Sequence, residues 1–232
     1  MSPSRKTNLF LQSLHEDGIN EIYLAGKRTP QSTAPVSAKT PGKISASKEA
    51  LLELRDKAKA CTLCKELSET RHSVVFGSGN SKAKLMFVGE APGADEDEQG
   101  LPFVGRAGQL LTKIIEAIGL SREQVFIANV LKCRPPANRQ PAPQEIKNCS
   151  PYLARQIEII APKIICALGT FAAQTLLETQ TPISQLRGQF YDKGSYKIIC
   201  TYHPAYLLRN PADKRLVWDD MKKIKKDLDE LA

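Results

Sequence analysis

The chain lacks long apolar runs, both in its interior and over its first residues. Among its 232 residues, no apolar run approaches the ~20 residues that a membrane-spanning helix requires. The first residues, MSPSRKTNLFLQSLHEDG, lack the apolar centre of roughly 7–15 residues that marks a secretory signal. No internal repeat of the kind that builds solenoids is visible either. We therefore expect a cytoplasmic protein with no membrane partner.

Acidic residues are in the minority. The 25 Asp and Glu residues are outnumbered by 33 Lys and Arg residues, which leaves a formal net charge of +8 at pH 7. A basic surplus suits a polyanionic partner such as nucleic acid. Many soluble proteins are mildly basic, however, so charge alone leaves the partner open.

Residues 1–47 differ in composition from the rest of the chain. The stretch KRTPQSTAPVSAKTPGKISAS is rich in Pro, Ser, Thr and Lys and contains little that could be buried in a core. We predict a largely disordered linker over 26–47, preceded by a short helix over 8–24. Together they form an N-terminal extension over 1–47, followed by a folded domain over 48–232.

Short apolar runs alternate with amphipathic segments in the rest of the chain. Strands are predicted at 84–89, 125–130, 163–168 and 197–202, and helices at 47–59, 105–118, 143–160, 169–178 and 212–230. The strand runs are rich in Val and Ile, as a sheet covered on both faces requires. Alternation of strands and helices indicates βαβ units. The predicted fold is therefore α/β, a three-layer α/β/α domain with a four-stranded, mainly parallel sheet.

Unusual residues follow the predicted strands. The loop after the first strand carries five acids within nine residues: Glu90, Asp95, Glu96, Asp97 and Glu98. Asn129 ends the second strand, and His203 follows the fourth. Ligand sites of open α/β sheets lie at the carboxyl ends of strands. We therefore predict that these loops form one cleft, with an acidic loop at the centre of a basic protein.

The chain contains six cysteines: Cys61, Cys64, Cys133, Cys149, Cys166 and Cys200. The last two lie in apolar strand runs, where a small buried side chain is the expected role. The first two form a C-x2-C pair flanked by polar residues, and the middle two are separated by fifteen residues. In a reducing compartment such clustering indicates metal binding. Four thiolates suit either zinc or an iron–sulfur cluster, and the spacing favours the cluster only slightly.

Four long motifs, taken together, resemble family 4 of the uracil-DNA glycosylases, the iron–sulfur type found in bacteria and archaea. They are GEAPGADEDEQGLPFVGRAGQLL at 89–111, ANVLKCRPPANR at 128–139, ALGTFAAQTLL at 167–177 and TYHPAYLLRNP at 201–211. The resemblance covers about 48–230. It implies the fold of that family, a monomeric enzyme, and a [4Fe-4S] cluster that is held by Cys61, Cys64, Cys133 and Cys149.

The resemblance also implies an activity. Such an enzyme binds single- or double-stranded DNA that contains uracil and flips the uracil out of the stack. It then hydrolyses the N-glycosidic bond and leaves an abasic site, which initiates base excision repair. No redox step is needed, so we expect the cluster to be structural.

By resemblance, the residues that bind the base are Glu90, Ala91, Pro92, Glu96, Phe103, Asn129 and His203. Asn129 would pair with N3–H and O4 of uracil, a pattern that cytosine reverses. Phe103 would stack on the base, because its loop, flanked by Pro102 and Gly105, favours display over burial. His203 would donate to O2 of the base as negative charge develops there.

The catalytic residues implied by the resemblance are Glu90 and His203. We expect a dissociative mechanism, in which the sugar gains oxocarbenium character and water then adds at C1′. The departing uracilate would be held by His203 and by backbone N–H groups of 90–92. Glu90 is expected to lie against the base and sugar.

Four positions of the acidic loop bear on catalysis or specificity. Ala91 stands where another glycosylase family has an Asp that directs water, and its presence is normal for family 4. Ala94 stands where family 4 more often has an acid. We expect Glu96 or Asp97 to face C5 of the base and to help exclude thymine.

Contacts with DNA are expected from two loops. Leu207, Leu208 and Arg209 would form a wedge that enters the vacated base stack. Basic residues after the second strand would contact phosphates: Lys132, Arg134 and Arg139.

Other interpretations stay open at this point. One is an iron–sulfur protein that binds DNA or RNA without catalysis. Another is a relative of the type that binds uracil covalently, but the chain lacks the basic, His-containing insertion of that type. A zinc protein is the third.

Overall fold

The computed structural model describes residues 46–231 of the chain. The predicted extension over 1–47, with its helix at 8–24 and its linker at 26–47, therefore lies almost wholly outside the described residues. The described chain begins with a helix at Ala46, close to the predicted start at Ser47.

A mixed sheet forms the middle layer of this part of the protein. Its six strands are β1 Ser78–Gly79, β2 Leu85–Gly89, β3 Phe126–Asn129, β4 Ile164–Leu168, β5 Phe190–Asp192 and β6 Lys197–Thr201. Their order is β1-β3-β2-β4-β6-β5, and the four inner strands are parallel. The edge strands β1 and β5 are antiparallel to their neighbours. The four predicted strands are the inner ones, and the sheet is two strands wider than predicted.

Helices cover both faces of the sheet. Within 46–231 they are α1 Ala46–Lys59, α2 Lys65–Thr70, α3 Ala94–Gln99, α4 Arg106–Ala117, α5 Pro143–Ile160, α6 Thr170–Leu177, α7 Ile183–Leu186, α8 Pro204–Arg209 and α9 Lys214–Glu230, with 3₁₀ turns at Pro136–Asn138 and Pro211–Asp213. Among these helices, none combines the length and the apolar character that spanning a bilayer demands.

Alternate residues of each inner strand enter two different cores. Met86 and Val88 of β2 belong to the core that α1, α5 and α6 cover. Leu85 and Phe87 belong to the core that α4, α8 and α9 cover. Side chains of a strand alternate between faces, so a strand with no polar position must be covered on both sides. The predicted three-layer α/β/α architecture is confirmed.

The parallel strands bring their carboxyl ends to one edge of the sheet. Gly89 and Asn129, the last residues of β2 and β3, are partners in register. β6 ends at Thr201, two residues before His203. The predicted site residues therefore start from neighbouring points on one edge.

Candidate active site

A cleft of about 470 Å³ opens at the carboxyl ends of β2, β3 and β6. It is lined by Glu90, Ala91, Pro92, Gly93, Glu96, Phe103, Ala107, Asn129, Pro135, Asn138, Arg139, His203, Ala205, Tyr206 and Arg209. The seven residues that were predicted to bind the base all lie on its walls. Of the residues predicted to contact DNA, only Arg209 and Arg139 line it.

Asn129 lies at the end of β3 with an unpaired acceptor. The residue is 2% exposed, and its Oδ1 has no hydrogen-bond partner among the described residues. Gly89 is directly beside it, and a Cβ atom there would collide with Asn129 Oδ1 and with the Phe103 ring. A buried acceptor without a partner costs about 1–3 kcal/mol. A ligand that brings an N–H donor into the cleft would satisfy this atom.

One ring nitrogen of His203 is free to donate a hydrogen bond, because the other accepts a neighbouring backbone N–H. Its Nδ1 accepts the backbone N–H of Ala205 at 3.1 Å, so the neutral ring carries its hydrogen on Nε2. Burial, assisted by the positive charge of Arg209 and opposed by Glu96, lowers the pKa of His203 to about 4. The cleft therefore holds a neutral imidazole that can donate through Nε2–H.

Phe103 sits in a backbone conformation that its surroundings enforce. Its φ of 53° lies in the left-handed region, which is strained for a residue with a side chain. Arg122 donates to the Phe103 carbonyl at 3.1 Å, and the Glu96 carboxylate accepts the N–H groups of Val104 and Gly105 at 2.8 and 2.9 Å. Phe103 is 6% exposed, so the prediction of a displayed side chain is wrong, although its ring does line the cleft.

The acidic run forms the short helix α3 rather than an open loop. Of its five acids, only Glu90 and Glu96 line the cleft. Asp97 is 1% exposed and accepts the backbone N–H groups of His72 and Ser73 at 3.1 Å, so the prediction that it faces the base is wrong. Burial raises the pKa of Glu90 above the ordinary value of 4.5. The acidity of the cleft therefore comes from two carboxylates.

The wedge prediction needs a correction. Leu207 is 1% exposed and packs into the core under α4 and α9, because 204–209 form an amphipathic helix, α8, and not an open loop. Leu208 is 38% exposed, and Arg209 is exposed at the end of the same helix. The prediction is wrong for Leu207, and the other two side chains have the exposure that it requires.

The predicted phosphate contacts also change. Lys132 is 2% exposed, and its Nζ donates to the Asn129 carbonyl and to Gln156, both at 2.7 Å. Burial lowers the pKa of its ammonium group to about 8. Arg139 is engaged with two carboxylates at 2.6 Å. Lys132 therefore holds the backbone of Asn129 in place. Of the predicted phosphate contacts, Arg134 stays a prediction.

Three residues shape the cleft in ways that the sequence does not predict. Lys132 braces Asn129, Arg122 pins the Phe103 loop from nineteen residues away, and Tyr206 forms part of the wall. Pro92 has no backbone N–H, so the expected donors at 90–92 reduce to Glu90 and Ala91. No local pattern marks a long-range hydrogen bond, although the position of Tyr206 beside the predicted wedge was a usable signal.

A buried ion pair lies beneath the end of β6. Asp220 is fully buried and accepts Thr201 Oγ1 at 2.6 Å and Arg187 Nη2 at 2.7 Å. The Arg187 guanidinium stands 5.5 Å from the ring centre of Tyr202, which in turn lies 4.8 Å from that of Tyr206. This stack connects α9 to the wall of the cleft.

The four clustered cysteines line a small common cavity: Cys61, Cys64, Cys133 and Cys149. N–H groups donate to three of their sulfurs, from Arg71 to Cys133 at 3.1 Å, from the Lys132 backbone to Cys149 at 3.2 Å and from Asn148 to Cys64 at 3.4 Å. Such bonds stabilise thiolate ligands. Within 46–231, no three His, Cys, Asp or Glu side chains stand close enough to hold a single metal ion. The remaining two cysteines are buried in β4 and β6, as predicted.

Comparisons with known proteins agree with this geometry. Residues 76–222 match the model of the uracil DNA glycosylase superfamily. The type-4 uracil-DNA glycosylase of Saccharolobus solfataricus is 48% identical over 184 residues, which are 75% of this chain and 85% of the relative. The type-4 enzyme of Archaeoglobus fulgidus is 46% identical over 76% of this chain and 92% of the relative. That of Thermotoga maritima is 45% identical over 77% of this chain and 95% of the relative. The chain therefore belongs to the uracil-DNA glycosylase superfamily and, within it, to the type-4 group.

Proposed function

We propose that this protein excises uracil from DNA by hydrolysing the N-glycosidic bond, and so initiates base excision repair. Membership of the type-4 group makes it a hydrolase of N-glycosyl bonds. The observation that best supports the residue roles is the unpaired Oδ1 of Asn129 in the cleft, beside Phe103 and His203.

Asn129 reads the base. Its Oδ1 accepts N3–H of uracil, and the amide nitrogen of the same side chain donates to O4. Cytosine has no hydrogen on N3 and carries an amino group at C4, so it would leave both amide atoms mismatched in a buried site. Sites of this kind reject the wrong partner because polar groups lose their hydrogen bonds. Phe103 stacks against the face of the flipped base.

His203 stabilises the leaving group. When the glycosidic bond breaks, the electron pair stays with uracil, and negative charge builds up on O2. A neutral Nε2–H donor that is already in place stabilises that charge without reorganisation. The backbone N–H groups of Glu90 and Ala91 complete the set of donors.

Glu90 acts on the sugar side. A carboxylate beside C1′ stabilises the positive charge that the sugar acquires, and it can accept a proton from the water that attacks. Its position in a partly buried cleft strengthens the electrostatic interaction. Glu96 braces the loops that form the cleft, since its carboxylate is bound by backbone N–H groups.

The DNA lies across the mouth of the cleft. Leu208 enters the stack that the uracil leaves, and Arg209 and Arg134 contact the backbone. The protein acts on single- or double-stranded DNA as a monomer.

Cys61, Cys64, Cys133 and Cys149 hold a [4Fe-4S] cluster. The four sulfurs line one cavity, and three of them accept N–H donors, as the sulfurs of cluster ligands do. Bound there, the cluster would supply a structural link between the α1–α2 segment and the β3–α5 segment. The reaction itself is carried by the cleft residues.

Incubation with defined DNA tests the proposal. A single-stranded oligonucleotide with one uracil, and its duplex form, should break at that position after alkali treatment. Matched oligonucleotides with cytosine or thymine there should stay intact. DNA binding without any abasic site would support a non-catalytic binding protein instead.

A further inference from the structure

A small apolar pocket lies on the opposite side of α8 from the cleft. Its volume is about 130 Å³, and side chains of α4 and α9 enclose it together with Leu207. Tyr206 and Arg209 of α8 line the cleft, whereas Leu207 lines this pocket. One short helix therefore separates the two cavities, and its exposed Leu208 lies between them in sequence.

Trp218 is the most conspicuous part of the pocket wall. It is 42% exposed, and it is the single tryptophan of the chain. Lys113 and Lys214 also line the pocket. No hydrogen bond or ion pair engages either ammonium group within residues 46–231. An open aromatic side chain, apolar neighbours and two uncompensated lysines thus occur together.

This combination suits unpaired DNA. Single-stranded nucleic acid is held by aromatic faces that stack on bases and by lysines that track phosphates. A purely apolar partner would leave both lysines without compensation. The pocket also borders the helix of the proposed DNA contact, because Leu207 of α8 lines it and Leu208 and Arg209 belong to the same helix.

We propose that Trp218, Lys113 and Lys214 form a second DNA subsite, which receives an unpaired base of the strand that passes α8. This inference rests on the proposed function, since it assumes that α8 contacts DNA. It adds a contact outside the uracil cleft and predicts tighter binding of DNA with unpaired bases near the lesion.

The lone tryptophan reports on the subsite directly. Oligothymidylate without uracil should quench the intrinsic fluorescence of the full chain in a saturable manner, because a stacked base quenches indole emission. Trp218→Leu should weaken binding of the same oligonucleotide, measured by anisotropy, by about 5- to 150-fold, the loss of one base–aromatic stack. Trp218→Phe should recover most of that affinity.

Matched variants test the lysines. Lys113→Gln with Lys214→Gln should make the salt dependence of binding shallower by roughly 0.7 per lysine. Lys82→Gln with Lys163→Gln, which remove the same charge at the opposite edge of the sheet, should leave the slope nearly unchanged. Equal slopes for the two double variants would contradict the assignment.

Three results would overturn the subsite. The first is that oligothymidylate causes no quenching, and the second is that heparin, a polyanion without bases, quenches as strongly as oligothymidylate. The third is that the emission shifts with protein concentration alone, which would show that a second copy covers Trp218. Uracil excision is measured separately. Excision without quenching rejects only the subsite, and quenching without excision rejects only the proposed activity.

Discussion

His203 shows how burial and one hydrogen bond together select a protonation state. Positive charge on the ring would lack solvation in the cleft, and a second ring N–H would clash with the Ala205 N–H that Nδ1 now accepts. Both effects favour the neutral ring with hydrogen on Nε2. An imidazolium could also donate a hydrogen bond to the base. Its positive charge would be costly to bury in the cleft, whereas the neutral ring carries no such cost.

We expect His203 to stay neutral across the range in which an ordinary imidazole titrates. Its pKa is lowered to about 4 from 6.5, so the proton is taken up only as pH falls below about 5. Nitrogen-15 NMR of the imidazole rings should show one signal with an Nε2–H tautomer that is constant between pH 8 and about 5. That signal should be missing in His203→Asn. A midpoint near 6.5 for the assigned ring would contradict this account.

Asn129 allows a test of selectivity with a single-atom change. In Asn129→Asp the donor to uracil O4 becomes an acceptor, while cytosine gains an acceptor for its amino group. The ratio of uracil to cytosine excision should fall by at least about 100-fold, since the paired hydrogen bonds are what distinguish the bases. Asn80→Asp is the control, because that side chain accepts the Lys82 N–H and can still do so. An unchanged ratio in Asn129→Asp would remove Asn129 from base recognition.

Among the structural elements, α9 is anchored through Asp220, which pairs with Arg187 at the end of α7 and accepts the Thr201 hydroxyl of β6. Asp220→Ala removes one partner and leaves a largely buried guanidinium uncompensated, so the free energy of unfolding should fall by about 3–5 kcal/mol. Urea denaturation measures the loss. Asp219→Ala, next in the same helix, breaks an exposed pair with Lys222 and should lower the free energy of unfolding far less. Similar losses for both variants would show that the buried pair stabilises the fold no more than the exposed pair does.

The inner strands and long helices could be predicted because each is defined by its own apolar pattern. Edge strands β1 and β5 have only two and three residues, and neither is fully buried, so their pairing depends on neighbours that are distant in sequence. The sequence predicts an open loop for the acidic run, because the caps of α3 come from backbone groups and Glu96. It predicts an exposed Leu207 for a related reason, since a six-residue helix has too little periodicity to show which side is buried.

The residues that line the cleft are easier to predict from the sequence than the hydrogen bonds that hold them in place. Residues at strand ends are visible as polar exceptions after apolar runs, which is how Asn129 and His203 stood out. Lys132 looked like a phosphate ligand because a lone lysine in a Pro-rich loop is usually exposed. Its burial depends on the distant Gln156, and no sequence pattern announces that contact.

Across the whole molecule, the cysteine cavity and the cleft share one segment of chain. The Lys132 backbone N–H donates to Cys149 Sγ, and the Lys132 side chain donates to the Asn129 carbonyl. A cluster at the cysteines would therefore stabilise the segment that positions the base-reading amide, although it lies outside the cleft. Its loss should affect both stability and excision.

Cys61→Ala tests this coupling at the scale of the whole fold. The purified variant should lack the broad absorption at about 400 nm that a thiolate-held cluster gives. With several kcal/mol of stabilisation lost, its Tm should fall by roughly 6–12 °C, and uracil excision should fall with it. Cys166→Ala makes the same change at a buried cysteine of β4, so it should retain the colour and most of the activity. If Cys61→Ala kept full colour and Tm, Cys61 would not be a ligand, and the link between α1 and the β3–α5 segment would have to arise from packing alone.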